Sequence, residues 1–268
     1  FVPDWFALLA LPIGRWLGQR SLIELTLQGG LTNVVGRPGP ISWPINQVRR
    51  RLLHHADVVV SRSPATSDEY RRLGLPKERL VEIPNPVDTE RFAPPTAPAR
   101  ARLRAELDIQ PDDQVILYVG GINARKGVDW LFDAFLLLAM ERPRALLCLV
   151  GPARSQDRPF YESLRQQVAN SPVAGRVRFT GEAVPSVERY FAAADLFASA
   201  SVREGFPNAV IEAMSSGLPV VVRHIPGISN YQIQDGFDGV IVREDNPHHF
   251  AAVLCRLLDD PAERARLG

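Results

Sequence analysis

Short apolar runs alternate with amphipathic stretches from about residue 113 to the end of the chain. The apolar runs are short and bounded by turn residues, which is typical of buried parallel strands. Six strands are predicted, at residues 115–120, 145–151, 177–181, 195–200, 219–223 and 239–242. Five helices are predicted between them, at residues 128–141, 159–169, 186–193, 207–215 and 248–258, with Gly217 as the stop signal of the fourth. This alternation predicts βαβ units and an α/β, doubly wound domain.

The segment 93–112 separates this pattern from the first part of the chain. Its start, residues 93–98, is rich in proline, and residues 108–113 are polar, which is typical of a boundary between domains. We therefore expect a domain at 1–92, a linker region at 93–112 and a second domain at 113–268. Because 92 residues are too few for a complete Rossmann-like domain, the chain is expected to be a fragment.

Two carboxylates, Glu204 and Glu212, flank a predicted helix start. Pro207 suits a first helical turn, and the helix would begin at the carboxyl end of a strand, where open α/β sheets bind ligands. Free amides and the helix dipole there favour a diphosphate. Eight residues span roughly 12 Å in a helix, so one carboxylate could meet a sugar and the other a ribose. The alternative is an ordinary helix position for Glu212 and a dipole-favoured acid for Glu204.

A second candidate site is the glycine-containing segment 119–127, which follows the first predicted strand of this domain. Lys126 could reach a phosphate as a point charge, and Arg125 offers a planar guanidinium. The glycine spacing matches neither the dinucleotide fingerprint nor the P-loop. A plain surface turn before a helix remains the alternative.

Together these residues resemble the retaining glycosyltransferases of family 4, and the resemblance covers nearly the whole chain. Glu204 and Glu212 match the ends of the family's E-x7-E motif, and Lys126-Gly127 matches the end of its Gly-Arg-x4-Lys-Gly loop. Further matches in the same order are the turns at 217–221, 227–228, 235–236 and 239, and the segment 83–92 that closes the family's N-terminal domain.

The resemblance implies an α/β fold of the GT-B class, with two Rossmann-like domains of which the N-terminal one is incomplete. It implies that Lys126 pairs with the donor diphosphate and that Glu204 contacts the transferred sugar, which makes these two the catalytic candidates. Glu212 would hold the ribose. The other donor-binding candidates are Gly120, Gly121, Arg125, Gly205, Phe206, Asn208 and Ala209, the last two through their amides.

Two positions depart from the family pattern. The arginine of the phosphate loop falls on Gly121, and Arg125 is a candidate replacement. A frequent histidine of the N-terminal domain falls on Gln28, whose neutral amide cannot titrate but can donate a hydrogen bond. Gln28 and Gly29, with Gly30, are therefore predicted to form a loop near the donor sugar. A strand-ending turn without this role is the alternative.

Composition and charge narrow the range of partners and cofactors that the protein is expected to use. A formal net charge of +1 favours neither nucleic acid nor a broadly anionic partner. The basic cluster Arg49-Arg50-Arg51 is expected to form a solvated helix face, with a membrane-surface contact as the alternative. The five histidines lack metal-ligand spacing, so we expect no metal and no cofactor besides the nucleotide-sugar substrate.

Localisation is predicted from two further features. The apolar stretch 5–11 is broken by Pro12, is too short to span a bilayer and lacks the charged start of a signal peptide. Cys148 and Cys255 lie in apolar elements and are expected to be small core residues, which favours a reducing cytosol. The predicted location is cytoplasmic, with peripheral contact at the inner membrane face as an extension.

The predicted function is retaining transfer of a hexosyl unit from a nucleotide diphosphate sugar to a glycan, lipid-linked or small-molecule acceptor. Two alternatives stay open. One is a GT-B epimerase or phosphorylase, although the acid and base or the cofactor lysine that it needs is not visible. The other is a non-catalytic sugar-nucleotide-binding protein, which the glycine at 121 and the glutamine at 28 favour.

Overall fold

A computed structural model describes residues 5–35 and 43–268, which form two compact units. The first unit contains the chain up to Pro86 together with Arg203–Phe206 and Pro226–Tyr231. The second contains Val87–Val202, Pro207–Ile225 and Gln232–Gly268. Two short segments of the later chain therefore belong to the first unit, which the hydrophobic pattern did not predict.

The first unit is a three-stranded parallel sheet with helices. Its strands are β1 (Leu22–Leu25), β2 (Val58–Ser61) and β3 (Leu80–Glu82), in the order β1-β2-β3. Its helices are α1 (Trp5–Trp16), α2 (Gly30–Val35), α3 (Trp43–Leu53) and α4 (Pro64–Arg72). The predicted basic helix is α3, in which Arg51 is exposed and Arg49 and Arg50 are half-buried.

Helix α1 continues through Pro12 to Trp16, so the proline that ends the apolar stretch 5–11 does not end the helix. A proline inside a helix costs about 3 kcal/mol. Leu8 and Leu11 on the same helix are almost fully buried in the core of this unit, beside Leu53 of α3. Full burial of a leucine contributes about 1.5 to 3 kcal/mol, so two of them offset the cost of the proline.

The second unit is a six-stranded, entirely parallel sheet in the order β6-β5-β4-β7-β8-β9. The strands are β4 (Gln114–Val119), β5 (Ala145–Pro152), β6 (Val177–Gly181), β7 (Leu196–Ser199), β8 (Val220–Arg223) and β9 (Val240–Val242). The helices after residue 86 are α5 (Ala97–Glu106), α6 (Val128–Ala139), α7 (Arg158–Ala169), α8 (Glu188–Ala193), α9 (Asn208–Ser215), α10 (Ser229–Gln232), α11 (Pro247–Asp259) and α12 (Pro261–Leu267). Of these, α10 belongs to the first unit except for its last residue. Every predicted strand and helix of this region is confirmed, with ends that differ by at most about two residues.

Both faces of this sheet are covered, which explains why its inner strands are largely apolar, whereas the edge strand β6 contains Arg178 and Thr180. Ile116 and Tyr118 of β4 pack in one core with α6, α7 and α11, whereas Val115 and Leu117 pack in the other with α8 and α9. Successive side chains of a strand point to opposite faces, so a strand buried on both faces shows no polar alternation. The arrangement is the predicted doubly wound α/β fold.

Residues 93–112, predicted as a linker region, belong to the second unit and contain α5. Arg104 of this helix is buried, and its guanidinium donates hydrogen bonds to the carbonyls of Ala193 at 3.0 Å and Asp113 at 2.6 Å. The segment is thus attached to the second unit by the Arg104 guanidinium and by Ile109, which is buried in the core beside Val115.

Candidate functional site

The switch point of the second sheet lies between β4 and β7. From β4 the chain order runs outward through β5 and β6 on one side, and from β7 through β8 and β9 on the other. In open α/β sheets, ligands bind outside the carboxyl ends of the strands at such a point. The predicted phosphate segment follows β4, and the predicted E-x7-E segment follows β7. Both candidate sequences therefore emerge at the part of the sheet that is suited to ligand binding.

The loop after β4 is fixed by glycine geometry and by an asparagine cap. The Asn123 side chain accepts a hydrogen bond from the Lys126 amide at 3.2 Å, which closes a turn of 3-10 helix at Ala124–Lys126. Gly127 follows with a φ of 61°, and a Cβ there would lie 2.2 Å from the Ala200 carbonyl oxygen. The loop that carries Lys126 is therefore packed directly on the end of β7.

Glycine is also required where β4 and β5 end. Gly120 has a φ of 154°, and a Cβ at Gly151 would lie 2.1 Å from the Gly120 carbonyl oxygen. Gly121 differs, since a Cβ there would meet nothing closer than the Asn123 side chain at 3.4 Å. The Tyr118 hydroxyl donates to the Gly121 carbonyl at 2.9 Å. The backbone near Gly120 can thus approach a ligand closely, while position 121 has room for a side chain.

The helix after β7 begins at Asn208, one residue later than predicted, with Pro207 in the cap position. Val210 and Ala213 of this helix are buried in the sheet core and fix its rotation. Asn208 is exposed and Ala209 is half-buried. The positive end of the helix dipole lies at this N-terminus, which therefore suits an anion.

Glu212 lies on the same helix, four residues after Asn208, and is half-buried. Burial raises the pKa of its carboxyl above the ordinary value, and the charge of Arg91 opposes that shift. A half-buried carboxylate with a raised pKa destabilises the folded state and is typical of a functional position.

We expect Glu212→Gln to raise the melting temperature at pH 7. The raised pKa means that the carboxyl costs nothing below its unfolded value near about pH 4.3, where both states are protonated. As the pH rises through the folded pKa, the carboxylate ionises in its half-buried position and the folded state loses stability. The gain from the substitution should therefore be larger at pH 7 than at pH 4 in thermal melts. Glu141→Gln, at an exposed position, is the control, and an equal gain in both variants at both pH values would contradict the expectation.

In the first unit, the residues before α9 meet the turn that follows β1. The backbone amide of Gln28 donates a hydrogen bond to the backbone carbonyl of Glu204 at 3.0 Å. A Cβ at Gly205 would lie 2.1 Å from the Thr26 carbonyl oxygen, so only glycine allows this approach. Glu204 is buried, with 5% of its surface exposed. The structure therefore brings Glu204 and Gly205 to Gln28, residues that are distant in the sequence.

The neighbouring candidates in this unit are Phe206 and Gly29. The Phe206 ring packs edge-on against Tyr231 with 6.4 Å between the ring centroids. Gly29 has a φ of 78° and lies beside the Arg203 side chain. Two residues hold candidate segments in place but were not among the sequence candidates. Asn123 caps the turn that carries Lys126 in the second unit, and Glu69 in the first unit accepts hydrogen bonds from the backbone amides of Gly29 and Thr32. Asn123 could have been found from the preference for asparagine at helix N-caps. No local sequence pattern indicates the contacts of Glu69.

Comparison with known proteins identifies the family. The profile of the family described as "Glycosyl transferases group 1" matches residues 113–260, and that of "Glycosyltransferase Family 4" matches residues 4–91. The first match covers more than half of the chain. The chain therefore belongs to the glycosyl transferases of group 1, as its motifs predicted.

Individual relatives that the chain matches are also named as glycosyltransferases. The chain is 31% identical to a D-inositol 3-phosphate glycosyltransferase of Kineococcus radiotolerans, with 82% of this chain and 53% of the relative aligned. It is 30% identical to the GDP-mannose-dependent alpha-(1-6)-phosphatidylinositol monomannoside mannosyltransferase of Mycolicibacterium smegmatis, with 98% of this chain and 69% of the relative aligned. The chain thus spans about half the length of the inositol phosphate glycosyltransferases that it matches.

Among solved structures, Anabaena HepE in complex with UDP and glucose superposes with a TM-score of 0.84 at 21% identity, over 98% of this chain and 69% of HepE. This likeness confirms the predicted fold class, α/β of the GT-B type. Within residues 5–35 and 43–268, no helix is long and apolar enough to cross a membrane.

Proposed function

We propose that the protein is a retaining glycosyltransferase that moves a hexosyl unit from a nucleotide diphosphate sugar to an acceptor hydroxyl. The observation that carries the proposal is the switch point of the second sheet, where the Lys126 loop packs on the end of β7 and α9 begins shortly after that strand. A cation, close backbone and a helix N-terminus are the groups that recognise a diphosphate.

In this proposal each candidate has a distinct role. Lys126, with Arg125 in support, neutralises the diphosphate, and the amides of Asn208 and Ala209 cap it. Glu212 accepts hydrogen bonds from the ribose hydroxyls. Glu204 contacts the transferred sugar, and the turn at Gln28 and Gly29 faces the same sugar. Gly120, Gly121, Gly205 and Phe206 line the donor through backbone and packing contacts.

The chemistry follows from charge development. As the bond between the anomeric carbon and the donor phosphate breaks, negative charge grows on the departing diphosphate. Cations and amides that are already oriented toward it stabilise that transition state more than the bound donor. The oxygen of the acceptor hydroxyl then bonds to the anomeric carbon on the face that the phosphate leaves, and the leaving phosphate accepts the hydroxyl proton, which gives retention. In this proposal side chains and backbone amides neutralise the charge on the diphosphate, without a metal or other cofactor.

The acceptor is proposed to be a hydroxyl of a glycan, lipid-linked or small molecule. A relative named as a D-inositol 3-phosphate glycosyltransferase supports a small-molecule acceptor. A relative named as a phosphatidylinositol monomannoside mannosyltransferase supports a lipid-linked acceptor. A location in the cytoplasm with peripheral contact at the inner membrane face is part of the same proposal. A non-catalytic binding protein is the competing function, because glycine at 121 and glutamine at 28 replace polar groups of the family pattern.

The test uses the complete protein with a panel of nucleotide sugars. Thermal shift selects the donor, since a ligand at 100 times its dissociation constant stabilises by about 2.7 kcal/mol. The selected donor, labelled in the sugar, is then incubated with inositol phosphates, phosphatidylinositol mannosides and glycans. We expect transfer with retention at the anomeric carbon. Donor binding without transfer to any acceptor would favour the binding protein, and an inverted product would overturn the retaining mechanism.

We expect Gly121→Arg to strengthen donor binding and Arg125→Ala to weaken it. Position 121 has room for a side chain, and the added guanidinium would restore the arginine of the family's phosphate loop, which binds phosphate well. Arg125 accepts a hydrogen bond from the Val202 amide through its carbonyl, so truncation of its side chain leaves that contact intact. Calorimetry with the donor is the measurement. Unchanged affinity in Arg125→Ala would show that Lys126 and the helix amides suffice.

A further inference from the structure

Glu69 of α4 is a buried carboxylate that caps a distant turn. Its side chain accepts a hydrogen bond from the Gly29 amide at 2.8 Å and a second from the Thr32 amide at 2.5 Å. Only 5% of its surface is exposed. Burial of a charged group is costly unless the group is hydrogen-bonded, and here each carboxylate oxygen has an amide partner. The residue therefore links α4 to the start of α2, about forty positions away.

The turn that Glu69 holds is the same turn that meets Glu204. Gly29 has a left-handed φ of 78°, and its amide is one of the two groups bound by Glu69. The preceding backbone amide, that of Gln28, donates a hydrogen bond to the backbone carbonyl of Glu204. Successive amides of one turn are thus anchored to two separate segments of the first unit. The backbone on either side of the Gln28 side chain is fixed by these two contacts.

We infer that Glu69 is a positioning residue for sugar transfer, acting through the Gly29 amide on the turn formed by Gln28, Gly29 and Gly30. The inference rests on the function proposed above. A carboxylate at the start of α2 also occupies amides that would otherwise attract an anion. In this proposal the turn binds the sugar through the Gln28 side chain and does not bind a phosphate. The diphosphate is bound by residues of the second unit.

The test is Glu69→Gln in the complete protein. A glutamine amide keeps one acceptor oxygen but turns its NH2 group toward a backbone donor, so one of the two hydrogen bonds is lost and the turn must shift. We expect kcat for transfer to fall by about tenfold or more, because a hydrogen bond to a charged group is lost. Affinity for the free nucleoside diphosphate should stay within about twofold. Glu69→Asp, which keeps the charge but is shorter, carries the same test if the glutamine variant does not fold.

Asp57→Asn is the matched control. Asp57 also accepts a hydrogen bond from a backbone amide, that of Ser21 at 2.8 Å, but this contact lies before β1 rather than after it. We expect this variant to lose thermal stability without a change in kcat. If Glu69→Gln behaves in the same way, Glu69 is only structural and the inference is overturned while the proposed function stands. Absence of transfer in the wild-type protein in the same assay would overturn the proposed function, and the inference with it.

Discussion

Replacement of Lys126 by alanine is expected to lower the rate of sugar transfer more than the affinity for the donor. A charge-assisted contact contributes about 1.5 to 3 kcal/mol, equivalent to roughly tenfold to more than a hundredfold. The contact should strengthen as charge builds on the departing diphosphate, so most of the loss should appear in kcat. The loop itself should persist, because Asn123 binds the backbone amide of residue 126 rather than its side chain. Steady-state kinetics together with calorimetry measure the two effects.

The chain supplies a close control for this substitution. Only two of its 31 basic residues are lysines, Lys77 and Lys126. Lys77 is exposed in the first unit, so Lys77→Ala removes the same charge and should leave kinetics unchanged. Lys126→Arg keeps the charge but replaces a compact ammonium by a planar fork, and partial activity is expected. Equal kinetics for wild type and Lys126→Ala would contradict the assignment of Lys126 to the diphosphate.

Glu204→Ala is expected to reduce transfer by roughly tenfold to a hundredfold and to spare the free nucleotide. In the proposal, Glu204 contacts the sugar, which the free nucleoside diphosphate lacks. The backbone at this position is held through the Gln28 amide and through Gly205, so the main chain should keep its place when the side chain is removed. Turnover with the intact donor and binding of the free nucleotide are both measured.

Glu204→Gln separates the charge of Glu204 from its size. This variant fills nearly the same buried volume, so it should unfold less readily than Glu204→Ala while still losing transfer if the charge matters. A melting temperature is recorded for each variant, since truncation of a buried side chain also leaves a cavity. Wild-type turnover in the glutamine variant would mean that the carboxylate charge takes no part in transfer.

The second unit was predictable because its strands carry their own signal. Most of the runs that became β4 to β9 are predominantly apolar and end in glycine or turn residues, so buried strands were the consistent interpretation. The edge strand β6 is the exception, because it contains Arg178 and Thr180. Gly217 was expected to stop α9, and it follows that helix with a φ of 71°. The positions of Lys126 and of the α9 N-terminus followed from the same pattern.

The contacts of the first unit could not be predicted in this way. The hydrogen bonds from Gly29 and Thr32 to Glu69, and from Gln28 to Glu204, join residues far apart in the sequence. No local periodicity encodes such pairs. Helix α1 likewise continues through Pro12 because its buried leucines pack in the core, a tertiary effect that local propensity does not contain. Local rules and the resemblance to a known family located the candidate residues, and the tertiary fold determined what holds them in place.

The most direct test of the account compares the two ends of the E-x7-E segment by calorimetry. Free nucleoside diphosphate and intact donor are each titrated into wild type, Glu204→Ala and Glu212→Ala. Glu212→Ala should weaken both ligands by a similar amount, on the order of 1 to 3 kcal/mol, because the ribose is common to them. Glu204→Ala should weaken only the intact donor. Equal weakening of both ligands by Glu204→Ala, or unchanged binding in Glu212→Ala, would contradict the proposed site.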